Sequence, residues 1–214
     1  MDHNICDKIL SNHFSMVSKE RLTNLYNQCS NFIDTNYSFV ECGVARGGCL
    51  AMMAHTAGSN NKIYGFDSFE GMPDITSEDL GEYNKSDIYK GFGKVGDNLS
   101  GGIDNVYKTF ETLEINMKNV KLIKGFFNDT LNIQENIDSI GDIGVLRLDG
   151  DWYESTKICL EKLYDKVVIG GVILIDDYGH WVGSKRATDE FRSKNNIVSP
   201  LINTDYTEHY WIKT

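Results

Sequence analysis

Nowhere in this 214-residue chain does an apolar run approach the roughly 20 residues that a membrane helix needs, so no membrane span is expected. The N-terminal MDHNICDKILSNHF has neither a basic n-region nor an apolar h-region, and a secretory signal is not expected either. Cysteine is sparse and unpatterned. Cys6, Cys29, Cys42, Cys49 and Cys159 form an odd set without CxxC spacing, which argues against a zinc site and against a complete disulfide framework. Reduced thiols in a cytoplasmic protein are the expectation. Positive charge is also short: 21 Lys and Arg face 31 Asp and Glu, for a net charge of −10. A phosphate backbone normally needs a basic face, so nucleic acid is not an expected partner. Internal repeats and low-complexity tracts are absent as well.

The 41% apolar and 24% charged fractions are those of an ordinary globular chain, and its length suits a single domain over 1–214. Short β-branched runs alternate with helical stretches, the signature of βαβ units around a parallel sheet. The strand candidates are YSFVEC (37–42), KIYGFD (62–67), VKLIKG (120–125), GVLRLD (144–149) and GVILID (171–176). Several are apolar on both faces, as strands covered by helices on both sides should be. Helices are expected near 47–57, 104–116 (with Asp104 as N-cap), 154–165 and 184–195. IVSPLI (197–202) and YTEHYWI (206–212) flank an Asn-Thr-Asp turn and predict an antiparallel hairpin that closes the sheet edge. The segment 71–102 is rich in Gly, Asp, Asn and Ser, with Tyr83, Tyr89 and Phe92 interspersed, and reads as a lid over a site.

In a doubly wound α/β sheet ligands bind beyond the carboxyl ends of the strands, and here those ends are unusually polar. Strand one ends in Glu41-Cys42-Gly43, strand two in Asp67-Ser68, strand four in Asp149-Gly150-Asp151 and strand five in Asp176-Asp177. ECGVARGG sets Gly43, Gly47 and Gly48 between a strand and a helix, where missing side chains let the backbone turn tightly and approach a ligand. The spacing is GxxxG, without the GxGxxG arrangement that suits a pyrophosphate. Asp67 follows Glu41 by 26 residues, near the offset at which an acidic residue on strand two accepts hydrogen bonds from ribose. Together they favour a nucleoside ligand without phosphates. A structural turn and a helix cap are the plainer readings of the two features.

Strands four and five are neighbours in the commonest doubly wound order, which would bring Asp149, Asp151, Asp176 and Asp177 to one sheet edge. Like charges that close raise one another's pKa unless something neutralises them. A divalent cation is the economical answer, since Mg²⁺ and Ca²⁺ prefer carboxylate oxygens. Helix caps and solvated loop acids are the alternatives. His180, His209, Trp152, Tyr153 and Trp181 lie near the same edge and are candidates for orienting an acceptor or for simple surface and core roles.

ECGVARGG, FDSFEGMP, KGFFNDT, LRLDGDWYEST and LIDDYG, in that order, resemble the macrocin O-methyltransferase family, whose members methylate sugar hydroxyls with S-adenosyl-L-methionine. The resemblance runs from about Phe39 to Trp211. It implies a Rossmann-like class I methyltransferase fold, with a seven-stranded, mostly parallel sheet and an antiparallel C-terminal hairpin. Glu41 and Gly43 would line the methionine part of the cofactor, Asp67 and Ser68 would hold the ribose, and Phe126 and Phe127 would border the adenine. Asp149, Asp176 and Asp177 would be the Mg²⁺ ligands, and Asp151 or Asp149 the general base. Ala45 stands where the family usually has a large aromatic residue. The acceptor would be a sugar on a glycan, a nucleotide sugar or a glycosylated natural product, and a homo-oligomer is compatible with the resemblance. A catechol-type O-methyltransferase and a cofactor-binding protein without turnover are the competing readings.

Overall fold

The computed structural model describes residues 3–33, 35–80 and 102–214. Two helices, α1 (His3–Ser11) and α2 (Lys19–Ser30), precede the first strand. Strand β1 (Ser38–Cys42) leads to α3 (Gly48–Thr56), β2 (Ile63–Asp67) and the short α4 (Ser77–Leu80). The chain then passes through α5 (Ile103–Thr112), β3 (Val120–Lys124), α6 (Phe127–Thr130), α7 (Gln134–Ile140), β4 (Ile143–Leu148) and α8 (Tyr153–Leu163). Strand β5 (Val167–Ile175), α9 (Val182–Lys194), β6 (Ile202–Asn203) and β7 (His209–Ile212) complete it.

The seven strands form one sheet in the order β3-β2-β1-β4-β5-β7-β6. Strands β1 to β5 pair in parallel, while β7 runs antiparallel to β5 and to β6. The strand order reverses between β1 and β4, and a crevice opens there at their carboxyl ends. Alternation along the central strands feeds two cores. Phe39, Val145 and Leu174 pack under α1, α2, α3 and α5 with Leu22, Leu50, Met52 and Phe110. Val40, Leu146 and Ile173 face the other way, against Leu131, Leu160, Leu163 and Trp211. Burial on both faces explains why these strands read as continuous apolar runs.

The expected strands and the four expected helices are present with shifts of at most four residues at their ends. At α5 the N-cap is Gly102, with φ 84°, and Asp104 sits in the first turn, where its carboxylate faces the positive end of the helix dipole. The closing hairpin has shorter arms than 197–202 and 206–212. Asp205 Oδ1 accepts from the amides of Thr207 and Glu208, each at 2.9 Å, and this side-chain turn takes up residues that would otherwise extend the ladder. Most of the expected lid, 81–101, lies outside the described residues, and its Ser77–Leu80 part is α4. All five cysteines are free and buried. No helix among the described residues is long and apolar enough to cross a membrane.

Candidate active site

The glycine turn after β1 is shaped by one close approach and one carboxylate. Gly43 has φ 95° and its amide donates to Phe66 O at 2.8 Å, while a Cβ on it would lie 1.8 Å from the carbonyl oxygen of Asp149. Only glycine fits. Ala45 also has positive φ, at 48°, a conformation disfavoured for a residue with a Cβ. Asp67 holds this turn in place: its Oδ2 accepts from the amides of Val44 at 2.8 Å and Ala45 at 3.0 Å, and its Oδ1 from that of Phe69 at 2.7 Å. A carboxylate offers about four acceptor sites, so three amides leave room for a further donor from the cleft.

That cleft is open, about 600 Å³ with its mouth included, within the range of small-molecule sites. Gly43, Asp67 and Ser68 line one side, Phe126, Phe127 and Ile158 supply apolar wall, and Asp149 and Gly150 reach in from the end of β4. Five of the six residues expected to hold the cofactor therefore meet around one space. Glu41 does not join them. It is buried beneath the turn, where its Oε1 accepts from Arg147 Nη1 at 2.8 Å. Burial and the negative charges of Asp149 and Asp176 push the Glu41 carboxyl up to about 8, against the pull of Arg147.

The acids of β4 and β5 are brought together by the sheet itself. The amide of Asp149 donates to Cys42 O at 2.8 Å, and that of Asp176 to Leu148 O at 2.9 Å, so each strand end is locked to its neighbour one step past the ladder. Just beyond, one oxygen each of Asp149, Asp151 and Asp177 lie within 4.8 Å of one another. Asp151 adopts φ 55°, its amide donates to Asp177 Oδ2 at 3.1 Å, and its Oδ1 accepts from Trp181 Nε1 at 2.7 Å. Burial and mutual repulsion push the Asp151 carboxyl up to about 8 and that of Asp177 well above the usual carboxylate range. This group of oxygen donors with too much negative charge fits a hard divalent cation such as Mg²⁺.

Asp176, expected among the metal ligands, faces elsewhere. Its Oδ1 accepts from Arg147 Nη2 and its Oδ2 from Arg21 Nη1 at 2.6 Å, so both oxygens are engaged by guanidinium groups. Asp176 stays tied to the sheet through its amide bond to Leu148 O, whereas Asp177 lies one residue further into the turn after β5, where its Oδ2 accepts from the Asp151 amide. Asp151, expected as a base, stands in the carboxylate cluster with Asp149 and Asp177. Tyr153 directs its hydroxyl to Glu190 Oε2 at 2.6 Å on α9, and His180 Nδ1 pairs with Tyr206 Oη at 2.6 Å. Trp152 and Trp181 stack edge to face with centroids 5.1 Å apart.

Sequence reasoning missed Arg147 and Arg21. A cation inside the apolar strand GVLRLD was the available signal, because a buried guanidinium is retained only with partners.

The family model described as Macrocin-O-methyltransferase (TylF) matches residues 6–213. The demethyldecarbamoylnovobiocin O-methyltransferase of Streptomyces niveus is 32% identical over 211 residues, covering 95% of this chain and 77% of the relative. The 8-demethyl-8-(2,3-dimethoxy-alpha-L-rhamnosyl)-tetracenomycin-C 4'-O-methyltransferase of Streptomyces olivaceus is 30% identical over 207 residues, covering 94% and 76%. Among solved structures, the O-methyltransferase NovP superposes with a TM-score of 0.79 at 31% identity, covering 94% of this chain and 82% of that one. The O-methyltransferase from Bacillus cereus, solved in complex with SAH, shares the fold at a TM-score of 0.61 and 12% identity, covering 100% and 92%.

Proposed function

From the premise that the chain belongs to the macrocin O-methyltransferase family, and is thus an O-methyltransferase, we propose that it moves a methyl group from S-adenosyl-L-methionine to a sugar hydroxyl with Mg²⁺ as cofactor. The single observation that carries this reading is the position of Asp149. It lines the cleft beside Gly43 and Ser68 and also belongs to the carboxylate cluster with Asp151 and Asp177, so a methyl donor in the one and an acceptor hydroxyl at the other would meet there.

The residues fit both groups. Gly43 keeps the cleft floor low, Asp67 and Ser68 offer polar atoms to a ribose, and Phe126 and Phe127 offer flat apolar surface to a base. The methyl donor brings a sulfonium whose methyl carbon is open to in-line attack. A divalent cation held by Asp149, Asp151 and Asp177 would supply positive charge that favours the ionised form of an acceptor hydroxyl. The remaining work falls to the chain. Asp149 or Asp151 would accept the hydroxyl proton as the methyl group passes from the sulfonium to the acceptor oxygen, a proton transfer typically worth about 10²–10⁴-fold. Trp181 holds Asp151 through its indole N–H, and Trp152 packs behind that indole. Holding both reactants in line at one carboxylate adds the advantage of an intramolecular reaction.

A sugar acceptor is supported by the name of the Streptomyces olivaceus relative, a 4'-O-methyltransferase of a dimethoxy-rhamnosyl tetracenomycin. A sugar on a nucleotide, a glycan or a small-molecule scaffold presents the same hydroxyl chemistry to the site. The five free, buried thiols suit a reducing compartment such as the cytoplasm. Methyl-labelled S-adenosyl-L-methionine offered with Mg²⁺ to a nucleotide deoxysugar, a glycosylated natural product and a catechol tests the reading. Label in a sugar supports it, label in the catechol alone replaces it, and tight cofactor binding without transfer to any of them points to a protein without turnover.

A further inference from the structure

We propose that Arg147 is a positioning residue that sets the carboxylates of Asp149 and Asp176 from beneath the site, using Glu41 as its counterweight. The proposal rests on the cation reading above. It begins from a cost: Arg147 is 1% exposed on a strand whose six residues are all buried, and an unpaired guanidinium there would cost several kcal/mol of desolvation. The sheet register supplies the partners. Arg147 pairs with Glu41 across β1 and with Leu174 across β5, so Glu41 is its direct neighbour on one side. Two residues on, just past the end of β4, comes Asp149, and two past Leu174, just past the end of β5, comes Asp176, each still tied to the neighbouring strand by its amide.

The guanidinium reaches all three acids at once. Nη1 donates to Glu41 Oε1 at 2.8 Å and to Asp149 Oδ2 at 2.9 Å, and Nη2 donates to Asp176 Oδ1. Arg21, from α2, closes the far side of Asp176 with Nη1 at 2.6 Å and lies 3.0 Å from Asp205 through Nε. A planar fork of donors can do this, whereas the ammonium of lysine is a point charge that cannot span the same directions. One oxygen of Asp149 is thereby fixed by a buried cation while the same carboxylate takes part in the cluster with Asp151 and Asp177. Without that anchor, mutual repulsion among the three acids would turn Asp149 away. Partners that orient metal ligands typically contribute about 10–100-fold to metal affinity or activity.

The test is Mn²⁺ binding by calorimetry and electron paramagnetic resonance on the full chain, with wild type beside Arg147→Lys and the charge-balanced double variant E41Q/R147M. Melting temperature and circular dichroism report folding for each. In folded Arg147→Lys the Mn²⁺ Kd should weaken by about 10–100-fold, and kcat should fall while the KM for S-adenosyl-L-methionine stays within about threefold, because the guanidinium does not line the cleft. The double variant removes cation and counterweight together and carries the same expectation if the lysine variant does not fold. A folded variant that binds Mn²⁺ within twofold of wild type overturns the positioning role alone. Wild type that binds S-adenosylhomocysteine but no Mn²⁺ overturns the cation reading beneath it, so the two failures are separable.

Discussion

Raising the pH should make the protein's stability depend on the proposed cation, and the size of the effect follows from Asp151. Its carboxyl is pushed from an ordinary 3.8 to about 8, chiefly by burial and then by the charge of Asp149. The folded state therefore holds that proton more tightly than the unfolded chain does. The stability this confers is fully present below about pH 4 and is lost as the pH climbs towards about 8, at about 1.4 kcal/mol per unit for one fully coupled site. A divalent cation would replace the proton, and at 100 times its Kd it would return about 2.7 kcal/mol. For a chain of this length that is a rise of roughly 5–10 °C in melting temperature at pH 8. At pH 6 the site holds its proton, the apparent Kd is weaker by up to about 100-fold, and the same Mg²⁺ concentration should return less than about 1 kcal/mol. Differential scanning fluorimetry at both pH values, at matched ionic strength and with Na⁺ as control, reads this directly. Equal shifts at pH 6 and pH 8, or none at either, would refute the assignment of Asp151 and its neighbours to a cation site.

Four other substitutions separate the roles of neighbouring residues. Asp177→Asn should abolish the Mg²⁺-dependent rise at pH 8 with little loss of basal stability, whereas Asp176→Asn should cost about 3–5 kcal/mol in urea denaturation, because it strips Arg147 and Arg21 of a buried partner. Gly43→Ala drives a Cβ to within 1.8 Å of Asp149 O and should cost about 3 kcal/mol or more, with loss of S-adenosylhomocysteine binding by calorimetry. Asp67→Ala leaves the amides of Val44, Ala45 and Phe69 without their acceptor, and charged hydrogen bonds of this kind contribute about 1.5–3 kcal/mol each. Its S-adenosylhomocysteine affinity should fall by at least about tenfold, and an unchanged Kd would show that Asp67 neither shapes the cleft nor touches the ligand.

The strands and the polar strand ends were legible because a parallel sheet imposes its own grammar. Runs such as GVLRLD and GVILID must be apolar on both faces, and the crevice at the carboxyl ends of such strands is where a ligand binds. Gly43, Asp67, Ser68, Phe126 and Phe127 fell around one cleft for that reason. Glu41 and Asp176 were harder, since adjacency in sequence says nothing of which partner a side chain finds across the sheet. Both are drawn to Arg147, and the pairing depends on a register that only the folded sheet fixes. The N-terminal helices escaped notice because their buried stripe is narrow: in α2 only Leu22, Leu25 and Cys29 are buried among polar neighbours. Yet α2 delivers Arg21 to Asp176, so the least conspicuous part of the sequence reaches the edge of the site.

The most direct measurement is a crystal structure with S-adenosylhomocysteine and Mg²⁺ bound. The account predicts the nucleoside in the cleft between Ser68 and Phe127, the cation on Asp149, Asp151 and Asp177, and Arg147 still bonded to Asp149. A cation bound away from Asp149, or a nucleoside outside that cleft, would contradict it.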